Sequence, residues 1–329
     1  KIIEDCKRKK KKYKDPEFYP QKSMNEEDIK ELSVHEWRRI EDQYPNDLFE
    51  NISPESVKQG KLGDCYLVIG LIYASQHKEL VKSLFHPKSS LQYGVVLVYF
   101  WFLNEKVPVI VDTQVAYEDS TSTHPLFCHP RNNDDSCWFV LVEKAFAKAC
   151  GGYSSITEGQ TSFGIHILFD YFSTTFYPIE DIIPTMTLEE ESKKNLNANE
   201  TVFQILQHLK KKNAVIGTYV PEDDCENYDE SIGLIKKHAY YVLDVRESEN
   251  KRFIKLRNPW EIGKYNGEYS CGSKKWTEKL KNDLIYDDDD DDGSFWMLLE
   301  NYFYYFKSIS YSLQEERDWK EMSVYGKID

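Results

Sequence analysis

The stretch QGKLGDCYLVIGL, Gln59 to Leu71, passes abruptly from a glycine-punctuated polar loop to a nearly continuous apolar run, with Cys65 at the seam. Gly63 and Asp64 read as turn and N-cap residues of a helix over Tyr66 to Ala74. A helix apolar on every side is a central buried one rather than a surface amphipath. Cys65 then falls in the first turn, where the macrodipole and free N–H groups favour a thiolate. The Asp64 carboxylate opposes this unless its charge is spent on capping. Taken alone, a cysteine opening an apolar helix is more often plain packing.

Gln59 lies upstream of Cys65, and Gly60 and Gly63 let the intervening loop fold back. Two readings stand: its amide converges with the Cys65 backbone N–H as an oxyanion hole, or it hydrogen-bonds its own loop.

A nucleophilic thiol needs a base. Among eight histidines, five (His77, His86, His124, His129, His208) sit in loop-like or helix-surface contexts, and His35 and His166 lack an evident partner. His238 opens the strand HAYYVLDV, and FIKLRNPW follows after the polar turn RESENK. A hairpin centred near Ser248 places His238 opposite Asn258, whose amide oxygen then fixes the ring's orientation and tautomer. Pro259 ends the ladder, and Trp260 is either a shield for the His–Asn pair or a core residue.

Composition narrows the class. Hydrophobic residues make up 40% and aromatics 14% of the 329 residues, enough for a sizeable core, and two domains are the natural prior. No apolar run reaches the ~18–20 residues of a membrane span, so a soluble, intracellular protein is expected. A net charge of −14 argues against a nucleic-acid binder. The local exception, KRKKKK over Lys7 to Lys12 with Lys14 behind it, reads as a solvated arm or else as a nuclear-targeting or nucleic-acid-contacting segment. Seven cysteines without a CxxC pair indicate neither structural zinc nor a disulfide framework.

Along the chain, residues 1–30 read as a basic, charged arm. Residues 31–185 read as a helical unit carrying the nucleophile, with helices over Glu27 to Ile40, Tyr66 to Ala74, Cys137 to Ala149 and Phe163 to Tyr171. They also hold a strand pair, Tyr93 to Leu103 and Lys106 to Val111, turning at Asn104-Glu105. Pro178 to Glu200 reads as a linker. Residues 186–310 read as a strand-rich unit, and 311–329 as the start of a C-terminal linker or further domain. The six aspartates Asp287 to Asp292 read as a solvated insertion, not a calcium loop.

Several of these segments together resemble one family. QGKLGDCYL is similar to the nucleophile segment of the calpain cysteine protease core, KHAYYVLDV to its histidine strand and KLRNPWEIGKYNGEYS to its asparagine segment. WFVLVEKAFAKACGGY resembles its EKAYAK helix. PVIVDTQVAY and GSFWMLLENYFYYF fall in the matching order, across Tyr13 to Ile309. The resemblance implies an α+β, papain-like core of two subdomains with the active site in the cleft between them. It implies an endopeptidase that forms a thiol acyl-enzyme through Cys65, His238 and Asn258, with Gln59 at the oxyanion and Trp260 shielding the pair. No cofactor is required for that chemistry.

Departures from the family pattern carry equal weight. The resemblance places calcium ligands at Ser56 and Phe163 in the first subdomain and at Lys264 and Cys271 in the second. A hard cation does not take Phe or Lys as a ligand, so both calcium sites are expected to be absent. Tyr66 stands for Trp, and Lys237 and Glu261 stand where the family has Gly. Glu261 strains its loop if that position needs φ > 0. The expected partners are protein or peptide substrates and, at Lys7 to Lys14, a nuclear import factor. The alternative function is a catalytically weak calpain-like scaffold that binds partners through the cleft.

Overall fold

The computed structural model describes residues 1–45, 47–131, 134–176, 198–222, 228–261, 263–286 and 292–314. Most of the expected linker, Asp287 to Asp291 and residues 315–329 lie outside them. Among the described residues, helices combine with strands β1 (Glu36–Arg39), β2 (Val57–Lys58), β3 (Val95–Phe102), β4 (Glu105–Asp112), β5 (Gln114–Tyr117) and β6 (His129–Pro130). The larger sheet uses β7 (Phe172–Phe176), β8 (Val215–Val220), β9 (His238–Ser248), β10 (Lys251–Arg257), β11 (Ser294–Leu298) and β12 (Ser308–Leu313). The fold is α+β, with every strand pair antiparallel.

The first core forms around the helix Cys65–Ser75, in which every residue from Tyr66 to Ser75 is buried. Its lack of a polar face is satisfied by neighbours on all sides, chiefly the helix Thr161–Phe169. Gly70 permits this closeness, since a Cβ there would lie 2.6 Å from Leu168 Cδ1. Full burial of each Leu or Ile in this helix contributes roughly 1.5–3 kcal/mol. The second core lies on the six-stranded sheet of order β11-β10-β9-β8-β12-β7. There Phe203 and Leu206 of the helix Ala198–Lys211 pack with Tyr240, Ile254, Met297 and Tyr302.

Four expectations need correction. The basic segment is not a loose arm. It forms a helix over Ile2–Lys9, and Cys6, Phe18 and Met24 are buried. Asp15, also buried, pairs with Lys148 at 2.8 Å and accepts from the amides of Glu17 and Phe18. Lys7 to Lys12 nevertheless stay exposed.

The helix expected over Glu27 to Ile40 is broken. A short helix Glu26–Glu31 ends at Ser33 (φ 59°), and β1 then pairs with β5. The spacing of Leu32, Trp37 and Ile40 fits a helix face, and the long-range ladder overrides it. The β3–β4 turn falls one residue earlier than expected, on Leu103 and Asn104, both with positive φ. Finally, the sheet takes strands from outside residues 186–310. β7 lies before that span, and β12 runs past its end to Leu313.

Candidate active site

Both ends of the β9–β10 hairpin determine where His238 meets Asn258. Its turn is Glu249 and Asn250, with φ of 51° and 58°, the pair of left-handed residues that a two-residue hairpin of matching twist requires. Ser248 therefore pairs with Lys251 rather than marking the centre, and an irregularity between Lys255 and Leu256 shifts the register once more. The last pair is Arg257 with Tyr241. Extended one step, the ladder sets Asn258 opposite Tyr240, so His238 is its diagonal neighbour rather than its direct partner. Diagonal side chains still meet when both are long. His238 Nε2 and Asn258 Oδ1 are 2.7 Å apart, and both residues are buried.

Asn258 is held from three sides. Its amide donates to Gly293 O at 3.0 Å, its carbonyl accepts from Glu261 N at 3.0 Å, and its Oδ1 also accepts from Trp260 N at 2.9 Å. A Cβ on Gly293 would lie 2.6 Å from Asn258 O, so this approach needs glycine. The Oδ1 acceptor makes Nε2 the protonated ring nitrogen and leaves Nδ1 free of that bond. Trp260 stacks on the imidazole with centroids 4.5 Å apart and planes at 23°.

Cys65 is the first residue of its helix. Asp64 occupies the cap position but makes no side-chain cap bond, contrary to expectation. Its carboxyl turns inward toward Glu143 and Cys128, whose liganding atoms all lie within 4.8 Å of its own. Neither Asp64 oxygen meets a donor among the described residues, whereas Glu143 accepts from the Cys128 amide at 3.0 Å. Burial and the Glu143 charge raise the Asp64 pKa well above the carboxylate range. Burial raises Glu143 as well, so the two carboxyls together hold a proton.

The thiol also departs from expectation. Burial pushes Cys65 up to about 11, although the amides of Ala239 and Tyr66 favour its thiolate. Burial lowers His238 to about 4, against the bond to Asn258. Both groups rest uncharged. They line one cavity of about 580 Å³ with Gln59, Glu158, Lys237 and Trp260.

Gln59 is buried, and its Nε2 donates to Leu62 O at 2.7 Å, the loop bond that the sequence allowed as an alternative. That bond uses one of the two amide N–H groups. The Gln59 backbone N–H donates to Pro259 O at 3.1 Å, tying the nucleophile loop to the Asn258 loop. No motif announced this main-chain contact.

Of the four positions where the resemblance places calcium ligands, Phe163 and Lys264 offer no donor for a hard cation. Ser56 is buried with its hydroxyl donating to Asp134, and Phe163 is a half-exposed ring without oxygen. Lys264 is a cation, and Cys271 is an exposed residue that offers sulfur rather than oxygen. Lys237 and Glu261, at the family's glycine positions, adopt φ of 53° and 56°. The strain anticipated at Glu261 is present, and a second instance precedes His238.

The profile of the calpain family cysteine protease matches residues 13–312. The chain belongs to that family. It is 27% identical over 268 residues to the calpain-type cysteine protease DEK1 of Zea mays, covering 77% of this chain and 11% of that protein. Against calpain-7 of Sus scrofa the identity is 28% over 264 residues, 76% of this chain and 30% of the relative. Against calpain-5 of Mus musculus it is 27% over 272 residues, 75% and 40% respectively. The chain therefore spans only 11% to 40% of the length of these relatives.

Proposed function

We propose that the chain is a papain-like, two-subdomain endopeptidase core with Cys65 as nucleophile. The observation that carries this reading is the 2.7 Å bond from His238 to Asn258 at the wall of the cavity that Cys65 also lines. With Nε2 given to Asn258, Nδ1 takes the thiol proton as the sulfur attacks the scissile carbonyl. The Cys65 N–H and the second Gln59 amide N–H stabilise the oxyanion. The imidazolium then protonates the leaving amine, and a water deprotonated by His238 hydrolyses the acyl-enzyme. Because thiol and imidazole rest neutral, the proton moves during attack rather than before it.

The poor donors at Ser56, Phe163, Lys264 and Cys271 support turnover without calcium. Exposure of Lys7 to Lys12 supports a cytoplasmic protein that also enters the nucleus through an import factor. The same neutral resting pair favours, as a second reading, the weakly catalytic scaffold. An epoxide peptide decides between them: stoichiometric labelling of Cys65 and peptide cleavage, both lost in Cys65→Ala and both insensitive to calcium, are expected of the protease. Absence of labelling and turnover in either condition leaves the scaffold. No described helix is long and apolar enough to cross a bilayer.

A further inference from the structure

Glu261 follows Trp260, and its side chain is only 4% exposed. One oxygen faces Arg257 at 3.4 Å, and the other faces Arg131 at 3.2 Å and Lys58 at 3.6 Å. Lys58 and Arg131 belong to the helical half: Lys58 lies in β2 beside Gln59, and Arg131 lies just past β6, its partner strand. Arg257 ends β10 in the sheet half and is itself buried. Its guanidinium also reaches across, donating to Pro54 O at 2.7 Å and Val57 O at 3.3 Å. A single buried carboxylate thus gathers cations from both halves within a few residues of Gln59 and Asn258. The left-handed backbone of Glu261 is a conformation any side chain other than Gly adopts at a cost. A side chain kept there despite that cost is held by what it contacts.

We propose that Glu261 is a positioning residue: through Arg131, Lys58 and Arg257 it clamps the Asn258–Trp260 loop onto the Gln59 loop, aligning the two halves of the site without a metal. The clamp deepens the protease reading and rests on it for its catalytic consequence. Its mechanical consequence stands apart, because the Gln59 N–H to Pro259 O bond crosses the same seam.

The test is site-resolved amide hydrogen exchange on the 1–329 chain, alongside active-site-titrated kinetics. Glu261→Gln keeps the shape and the backbone strain but removes the charge. It is expected to speed exchange of the Gln59 amide about tenfold or more while the amides of Leu67 to Ile72 stay unchanged. Glu261→Asp is expected to restore part of the protection. Per labelled Cys65, kcat is expected to fall about tenfold in Glu261→Gln with KM within about twofold. Should Glu261→Gln fail to fold, Arg131→Gln weakens the same clamp and carries the same expectations. Unchanged Gln59 exchange in a folded variant overturns the clamp, whatever the activity. Faster exchange with a wild type that neither labels nor cleaves upholds the clamp and removes the protease reading instead.

Discussion

His238 lies flat against Trp260, and the Asn258 Oδ1 that bonds the imidazole also accepts the Trp260 amide. One oxygen thereby sets both the ring and its cover. Asn258→Ala removes that shared acceptor, and kcat is expected to fall on the order of 10²-fold with a much smaller change in KM. Steady-state cleavage of a peptide substrate measures both. A loss confined to KM would place Asn258 in substrate binding instead.

Reactivity of Cys65 should follow its partly buried, uncharged state. With the thiol pushed up to about 11, the thiolate fraction climbs about tenfold per pH unit between pH 7 and 9. Iodoacetamide alkylation, followed at Cys65 by mass spectrometry, is expected to climb likewise. A rate flat over that range would mean that a thiolate–imidazolium pair is already formed.

The inward-facing Asp64 makes a stability prediction. Its folded pKa is raised by burial and by Glu143, so the folded state holds a proton that the unfolded chain releases above about pH 4. The proton-linked contribution is complete at acid pH and is drained as pH rises toward the folded value. Asp64→Asn carries no proton and supplies an N–H to Glu143. Its Tm is expected to gain on the wild type by about 2 °C or more between pH 5 and pH 8. Parallel Tm curves across that range count against a shared proton.

Lys237 tests the backbone strain beside His238. Its φ of 53° is left-handed, and its pair with Glu222 at 2.6 Å is exposed, so the charge contributes little. Lys237→Gly is expected to stabilise by about 0.5–1 kcal/mol in urea unfolding, and Lys237→Ala by none. Equal effects from both substitutions would rule out relief of strain as the cause.

The sequence made local features readable and left the contacts between them hidden. The helix Cys65–Ser75 was legible because an unbroken apolar run has one stable place, the interior. His238 and Asn258 were also legible as partners, although through a directly opposed register that the Glu249–Asn250 turn and the irregularity at Lys255 replace with a diagonal one. The helix expected through Trp37 failed because β5, far along the chain, supplies a ladder that no local window contains. The Asp64–Glu143 pair and the Glu261 cluster stayed out of sight for the same reason. Their members are ordinary charged residues whose significance arises only when distant segments meet in the interior.

The bond from the Gln59 N–H to Pro259 O is made by main chain on both sides. No side-chain replacement can delete it, except a proline at position 59, which would remove the donor. The seam between nucleophile and base is therefore written in a part of the chain that mutation barely reaches. Side chains around it can loosen or tighten that seam, but the donor and acceptor that close it stay in place whatever those side chains are.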